Sequence, residues 1–240
     1  MKSQRIRPIV WLALLVAQPI GAQSAPDAAD RVLRAAAKTM GGPALVDAVQ
    51  TLEAIADCQG PRQSYRTIMR SGRDGRIVFQ QDFPDGRRYR AVVTAAGGSE
   101  YDSDSGKVTP ASPFALTAAA GHAIHMLTLA PAALLGAPTG VTAAQFRGKP
   151  VIGVTFRNRM GGIVIANYDP SDTTLRGFTM PGPDGQPIAL VIWRWRRFNG
   201  LLLPTRAVFW QGRDAYSFRF TSIRLNAVSD SAFAIAADAP

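Results

Sequence analysis

Few residues in this chain have the type and spacing for bond chemistry. His122 and His125 stand three apart, a spacing that puts both on one face of a helix. Such a pair could begin a metal site, but a site needs at least a third ligand. The nearest carboxylates along the chain are Asp104 and Asp169. The pair therefore reads as two polar positions on an apolar segment, and no metal or other cofactor is expected. Cys58 is the single cysteine, so neither an internal disulfide nor a multi-thiolate zinc site is expected. It closes a run containing Leu52, Ile55 and Ala56, and reads as a small, inert core residue.

The remaining motifs fail on particular positions. Gly97-Gly98-Ser99-Glu100-Tyr101 lacks the last glycine of a Gly-x-Ser-x-Gly nucleophile elbow. Asp102-Ser103-Asp104-Ser105-Gly106 has the look of a calcium loop. Its glycine comes one position early, however, and Pro113 stands where the bidentate glutamate belongs. No phosphate-cradling or dinucleotide glycine fingerprint is present. The expectation is a protein that is not an enzyme.

The elements that would position these residues fall into three stretches. Asp27 to Val49 reads as helix, with Ala28, Val32, Ala35 and Ala36 at helical spacing, Gly41-Gly42 as punctuation and Pro43 opening a short second helix. Strands follow at Thr51–Cys58, Ser64–Arg70, Arg76–Phe83 and Arg87–Thr94. Short turns such as Arg73-Asp74-Gly75, Pro84-Asp85-Gly86 and Gly97-Gly98 separate them. Connections this short imply an antiparallel meander, because parallel strands need long crossovers. Val108 to Phe146 then contains no Asp, Glu, Lys or Arg. It reads as one or two helices, about Pro113–Leu129 and Ala132–Leu135. A membrane span is the alternative, with Gly121, His122, His125 and Pro131 sitting awkwardly in it. The last stretch returns to strands at Ala143–Arg147, Val151–Arg157, Gly162–Asp169, Leu175–Met180, Ile188–Phe198, Leu203–Gln211 and Ala215–Leu225. Gly161-Gly162, Pro183-Asp184-Gly185 and Asn199-Gly200 are among its turns.

Side-chain period then assigns faces. In Val191-Ile192-Trp193-Arg194-Trp195-Arg196 a period of two puts both tryptophans on one side and both arginines on the other. Tyr216, Phe218 and Phe220 oppose Ser217, Arg219 and Thr221, and Ile77, Phe79 and Phe83 share a parity. A wide sheet with one aromatic face must cover that face, and the charge-free central segment is the natural cover. Two readings stay open: an ordinary packed core, or a ligand cavity beneath the cover.

Composition bounds the class. Of 240 residues, 47 % are hydrophobic and only 18 % charged, which excludes intrinsic disorder. Lys2, Arg5 and Arg7 precede an apolar run from Pro8 to Ile20, followed by small residues at Ile20-Gly21-Ala22 or Ala22-Gln23-Ser24. Residues 1–23 read as a cleaved signal peptide, too short to span a membrane. Its loss lowers the net charge from +10 to +7, three basic residues and no acidic one being removed. Cys58 lies far beyond the cleavage region, so no lipid-anchor cysteine is expected. Arginines alternate with aromatics at Trp193–Arg197 and Tyr216–Arg219, but an exported protein rarely meets nucleic acid. Those arginines read as a solvated convex face, or one that meets an anionic membrane surface transiently. An integral outer-membrane barrel is disfavoured because Arg194, Arg196 and Arg219 interrupt the outward parity and the sequence ends Ala237-Asp238-Ala239-Pro240 with no terminal aromatic. No repeat or linker divides residues 24–240, which read as one domain.

The opening Ala35-Ala36-Ala37-Lys38-Thr39-Met40-Gly41-Gly42-Pro43-Ala44-Leu45-Val46-Asp47-Ala48-Val49-Gln50-Thr51-Leu52 resembles the start of exported LolA/LolB-like proteins. Phe198-Asn199-Gly200-Leu201-Leu202-Leu203-Pro204, Thr221–Asn226 and Ser229–Phe233 resemble their ending. The resemblance implies an α+β, mainly antiparallel fold: a curved incomplete barrel, or half-barrel, with an N-terminal helix and a central helical lid. It also implies periplasmic binding of acyl chains, as in carriers of outer-membrane lipoproteins. The same domain type precedes hydrolase domains in longer chains, and this sequence stops too early for one. The expected function is sequestration of a lipid or lipoprotein acyl chain in an apolar cavity. The residues expected to line it are Phe79, Phe156, Trp193, Trp195, Phe218, Phe220, Ile124 and Leu127. The alternative is a non-catalytic structural or interaction module of the cell envelope with a filled core. The leader makes a direct prediction. Protein recovered from the periplasm should begin between Gln23 and Pro26 by intact mass; a retained Met1 or an attached lipid would refute soluble export.

Overall fold

The computed structural model describes residues 25–94, 97–157, 162–182 and 186–234. The leader and its cleavage site, Gly161 and the Pro183-Asp184-Gly185 turn lie outside them. Helices α1 (Ala25–Met40) and α2 (Pro43–Asp47) precede six strands: β1 (Thr51–Gln59), β2 (Ser64–Gly72), β3 (Ile77–Asp82), β4 (Arg88–Thr94), β5 (Gly97–Asp102) and β6 (Lys107–Pro110). Three short helices follow: α3 (Pro113–His122), α4 (Ile124–Leu129) and α5 (Pro131–Leu135). The chain then adds β7 (Pro138–Phe146), β8 (Lys149–Arg157), β9 (Ile163–Tyr168), β10 (Leu175–Pro181), β11 (Pro187–Phe198), β12 (Leu201–Gln211) and β13 (Asp214–Leu225), and a 3-10 turn at Asp230–Phe233.

All thirteen strands form one antiparallel sheet, in the order β6-β5-β4-β3-β2-β1-β13-β12-β11-β10-β9-β8-β7. Residues far apart in sequence meet where β1 pairs with β13, for example Cys58 with Phe218. Two edges, β6 and β7, remain unjoined, which makes the sheet an incomplete curved barrel. Each edge is protected against stray pairing. β6 is only four residues long and carries Lys107 and Pro110, while α1 packs against β7.

The structure departs from the sequence pattern in three places. β5 and β6 were hidden because Gly97-Gly98 and Asp102 to Gly106 read as turns. Pairing against β4, such as Val92 with Ser99, supplies the ladder that local propensity lacks. β7 starts at Pro138, ahead of the expected Ala143, for the same reason. The helix expected over Pro113–Leu129 breaks at Ala123, whose φ −73° and ψ 38° end one helix and begin the next.

Turns and bulges shape the sheet. Asn199-Gly200, with φ 49° and 85°, joins β11 to β12 as the two-residue hairpin its sequence indicates. The end of α1 sits on that hairpin: a Cβ on Gly41 would lie 2.7 Å from the Gly200 carbonyl oxygen. β-bulges interrupt the ladders at Ile55/Ala56, at Leu175/Gly177 and on both sides of Arg194. Each adds bend and twist. Gly177 makes the second of these feasible, since φ is 153° and a Cβ there would fall 1.9 Å from the Leu190 carbonyl oxygen. Gly177→Ala should therefore cost about 2–4 kcal/mol. It should appear as a lower urea midpoint with unchanged slope, and an unmoved midpoint would show that the bulge can relax.

One polar cluster is built into the sheet. Glu53, 4 % exposed, accepts from Arg70 Nε at 2.7 Å and from Arg224 Nε at 2.9 Å. Burial pushes its pKa up, but the two guanidiniums outweigh burial and hold the carboxyl below its ordinary range. The cluster ties β2 to β1 and β1 to β13, the seam between the two halves of the sheet.

Candidate functional site

The inner face of the sheet is apolar from β3 round to β8. Phe79, Leu52, Ala54, Phe218, Leu203, Phe209, Ile188, Phe178, Tyr168 and Phe156 all belong to one buried cluster with α4 and α5. Because α3–α5 join edge β6 to edge β7, the segment between them crosses this face. Every residue of α4 is buried, from Ile124 to Leu129. The absence of charge from α4 and α5 follows from that position.

The cover leaves a cavity of about 330 Å³ beside the end of α3. Phe79, Phe209 and His122 form its aromatic wall. The His122 ring lies 3.9 Å from that of Phe79 and 5.4 Å from that of Phe209, nearly parallel to the latter. Tyr65, Gln81, Tyr89, Glu100, Gln211 and Tyr216 complete the lining. The polar groups lie at one end. Tyr89 Oη donates to Glu100 Oε2 at 2.8 Å, and the Ser112 backbone N–H donates to Glu100 Oε1 at 2.6 Å. Ser112 in turn caps α3, its Oγ accepting from the Ala115 N–H at 3.1 Å. Glu100 thus pins the first turn of the cover to β5. Burial raises its pKa, yet the Ser112 and Tyr89 donors outweigh burial and hold it low. Burial and the neighbouring carboxylate both push the Tyr89 phenol up, so it stays a neutral donor.

The two histidines do not share a helical face as their spacing suggested, because the break at Ala123 separates them. His122 ends α3 and joins the cavity wall. His125, 1 % exposed in α4, donates from Nε2 to the Pro204 carbonyl oxygen at 2.9 Å and meets the Phe220 ring edge-on at 4.4 Å. Burial drives its pKa down to about 4, against the opposing pull of the Pro204 carbonyl. No cluster of three metal-ligating side chains occurs among the described residues. Cys58 is buried on the inner face, with Sγ 3.0 Å from Thr67 Oγ1, and burial pushes its thiol up to about 12. It is not a nucleophile at neutral pH.

The residues anticipated from sequence are distributed unevenly. Phe79 lines the cavity. Phe218 meets His122 edge-on at 5.6 Å, and Phe220 meets His125, so both stand directly beneath the cover. Ile124 and Leu127 lie in α4, each 1 % exposed, and Phe156 on β8 is wholly buried; these three are packed core, away from the open space. Trp195 is half-buried against the core and pairs with Pro204. Trp193 departs from the expectation. It is 64 % exposed on the other face of β11, because Ile188, Leu190 and Ile192 carry the buried parity and a bulge follows Ile192. Glu100, Tyr89, His122 and Phe209 were not anticipated. Phe209 is buried between the half-buried Val208 and Trp210, a run of apolar residues that parity alone does not resolve, and Glu100 lies on a strand that local turn signals conceal.

The architecture has solved counterparts. A LolA superfamily protein from Nitrosomonas europaea superposes with TM-score 0.56 at 12 % identity, covering 86 % of this chain and 97 % of that one. An outer membrane lipoprotein-sorting protein domain from Vibrio parahaemolyticus gives 0.51 at 10 % identity, covering 85 % and 97 %. At these identities the likeness establishes the fold, which is LolA-like. No family model matches the chain, and no curated protein does.

The neutral, buried His125 sets a pH dependence. The unfolded chain takes up a proton near pH 6.5 while the folded one resists until about pH 4. Stability should therefore fall as pH drops through that window, by about 3 kcal/mol in total. Denaturant midpoints of the parent and His125→Gln, measured from pH 7 to 4, should diverge at neutral pH and converge near 4. Parallel profiles would show that His125 charges without strain.

Proposed function

We propose that the protein is an exported, periplasmic carrier that sequesters a lipid or the acyl chains of a lipoprotein beneath α3–α5, without bond chemistry. The observation that carries this reading is the uncharged helical segment laid across a wide aromatic sheet face, with a cavity left at its α3 end. No helix among the described residues is long and apolar enough to cross a membrane. The Nitrosomonas and Vibrio proteins share this architecture, and the second is described as a lipoprotein-sorting domain.

Opening exchanges one apolar surface for another. Lifting α4 exposes Ile124, Met126, Leu127 and Leu129 at roughly 1.5–3 kcal/mol each. A chain of about sixteen carbons regains a similar amount at ~0.8 kcal/mol per methylene. A near-balanced exchange suits a carrier, because cargo that binds can also leave. The cavity mouth with Glu100, Tyr89 and Gln81 would receive the polar end of the ligand, and Phe79, Phe218 and Phe220 its apolar length.

The complete burial of α4 also supports a second reading, an interaction module of the cell envelope whose interior is simply filled. Leu127→Ala separates the two. As a buried truncation it should lower stability by about 2–4 kcal/mol under either reading. In a carrier it also raises the population of the open form, so affinity for a fluorescent sixteen-carbon fatty acid should rise while the melting temperature falls. Absence of saturable binding by both the parent and Leu127→Ala would overturn the carrier reading and leave the filled module.

A further inference from the structure

The outer face of the sheet is unequally clothed. Over β3 and β4 the C-terminal 3-10 turn covers it: Phe233 is buried with Val78 and Val92, and the Arg76 guanidinium lies 4.5 Å over the Phe233 ring. Across β11, β12, β13 and β1 one outward row, Arg194, Arg206, Arg219 and Asp57, is exposed throughout. Arg194 lies directly opposite Arg206, and Arg206 directly opposite Arg219. Arg219 pairs onward with Asp57, which forms its salt bridge. The row continues through Arg66, opposite Asp57, to Asp82, which pairs with Arg88, so the carboxylates lie at one end and the Arg194–Arg206 end has none. Arg194 and Arg206 have no hydrogen-bond or ion-pair partner among the described residues.

This arrangement costs the free protein something. Directly opposed residues on antiparallel strands are about 5 Å apart, and like charges so placed repel and destabilise the pairing. An anion seated on the row would relieve that repulsion. The backbone also concentrates the cluster. A bulge sets Trp193 and Arg194 together against Arg206, and a second leaves Thr205 as the extra residue on β12. Bulges of this kind re-aim side chains next to functional sites. The result is a shallow groove of about 790 Å³, with Trp193 on one wall and Arg206, Arg219 and Asp57 on its floor. It runs into a smaller concavity of about 320 Å³ holding Arg194, Arg196 and the Thr205 and Thr221 side chains.

Trp193 decides the class of partner. At 64 % it is the most exposed of the large hydrophobic residues described. An acidic polypeptide would neutralise the guanidiniums and leave the indole wet. A phospholipid surface satisfies both, since tryptophan favours the boundary between headgroups and acyl chains while basic clusters favour anionic headgroups.

We propose that this outer face docks the protein on an anionic phospholipid surface, with Arg194, Arg206 and Arg219 meeting headgroup phosphates and Trp193 entering the headgroup–acyl boundary. The docking goes beyond acyl sequestration and does not rest on it, because it uses the opposite face of the sheet. Co-sedimentation with phosphatidylcholine vesicles, with and without phosphatidylglycerol, tests it. The protein should bind the anionic vesicles, release on added salt, and ignore the neutral ones. Each arginine near a charged surface contributes about 1 kcal/mol, so Arg194→Gln/Arg206→Gln should weaken binding about 25-fold. Its melting temperature should equal or exceed the parent's, because repulsion is removed. Arg31→Gln/Arg34→Gln, an equal loss of charge from the exposed side of α1, should stay within about twofold of the parent. A blue shift of tryptophan emission on binding should vanish in Trp193→Phe. Equal loss in the two double variants would reduce the effect to net charge and overturn the proposal. So would stabilisation by inorganic phosphate without vesicle binding, or capture of polyglutamate but not of vesicles.

Discussion

The structure depends on one constraint: a sheet with a continuous apolar inner face and two unjoined edges must be covered, and a single segment links those edges. Strands β1–β6 run outward from the seam in one direction, and β7–β13 return to it from the other side. The connection from β6 to β7 thus has to cross the mouth of the half-barrel. Burial against Phe79, Phe218 and Phe156 excludes charge from it, since an unpaired buried charge costs several kcal/mol. The buried polar side chains of α4 have partners. Thr128 donates to the Ile124 carbonyl at 2.7 Å, and His125 donates to Pro204.

The cover is held unevenly, and that asymmetry places the cavity. At the α4–α5 end α4 is wholly buried, and the space left, between α1 and the start of α5, is smaller, about 190 Å³. At the α3 end its anchor is a polar latch, Glu100 with Ser112 and Tyr89, beside the aromatic wall of Phe79, His122 and Phe209. Hydrogen bonds of this kind can be exchanged with water or with a ligand's polar end, whereas close-packed apolar contacts can be exchanged only with other apolar groups. At the α3 end open space and exchangeable polar contacts therefore coincide.

The bulges on either side of Arg194 connect the two faces. Along most of β11 the buried parity falls on Ile188, Leu190 and Ile192, which leaves odd positions outside. After the bulges Trp195 turns against the core and pairs with Pro204, the residue whose carbonyl anchors His125. The same irregularity leaves Trp193 and Arg194 together on the outside. One local backbone defect thus gives the inner face a half-buried tryptophan and the outer face an aromatic beside an arginine row.

Much of this was legible in the sequence. Alternating aromatics on β3 and β13, the Asn199-Gly200 hairpin, the glycine pair after α1 and the uncharged middle segment predicted an antiparallel sheet with a helical cover, and the resemblance to LolA/LolB-like proteins implied its curvature into a half-barrel. Those signals are local, since period, turn chemistry and charge depend on residues a few positions apart. Other features depend on partners distant in the chain. β5 and β6 exist because β4 offers a ladder, and the break at Ala123 sends His122 and His125 to different neighbours. Glu100 becomes a latch only when β5 lies beside the start of α3. Plain alternation from Ile192 leaves Trp193 outside; the bulge keeps Arg194 outside as well and turns Trp195 inward, which parts the two tryptophans, and the register that demands the bulge is set across strands. The amino-acid sequence by itself determined which face would be apolar and what would cover it. Tertiary pairing alone decided where that cover leaves open space and which tryptophan faces water.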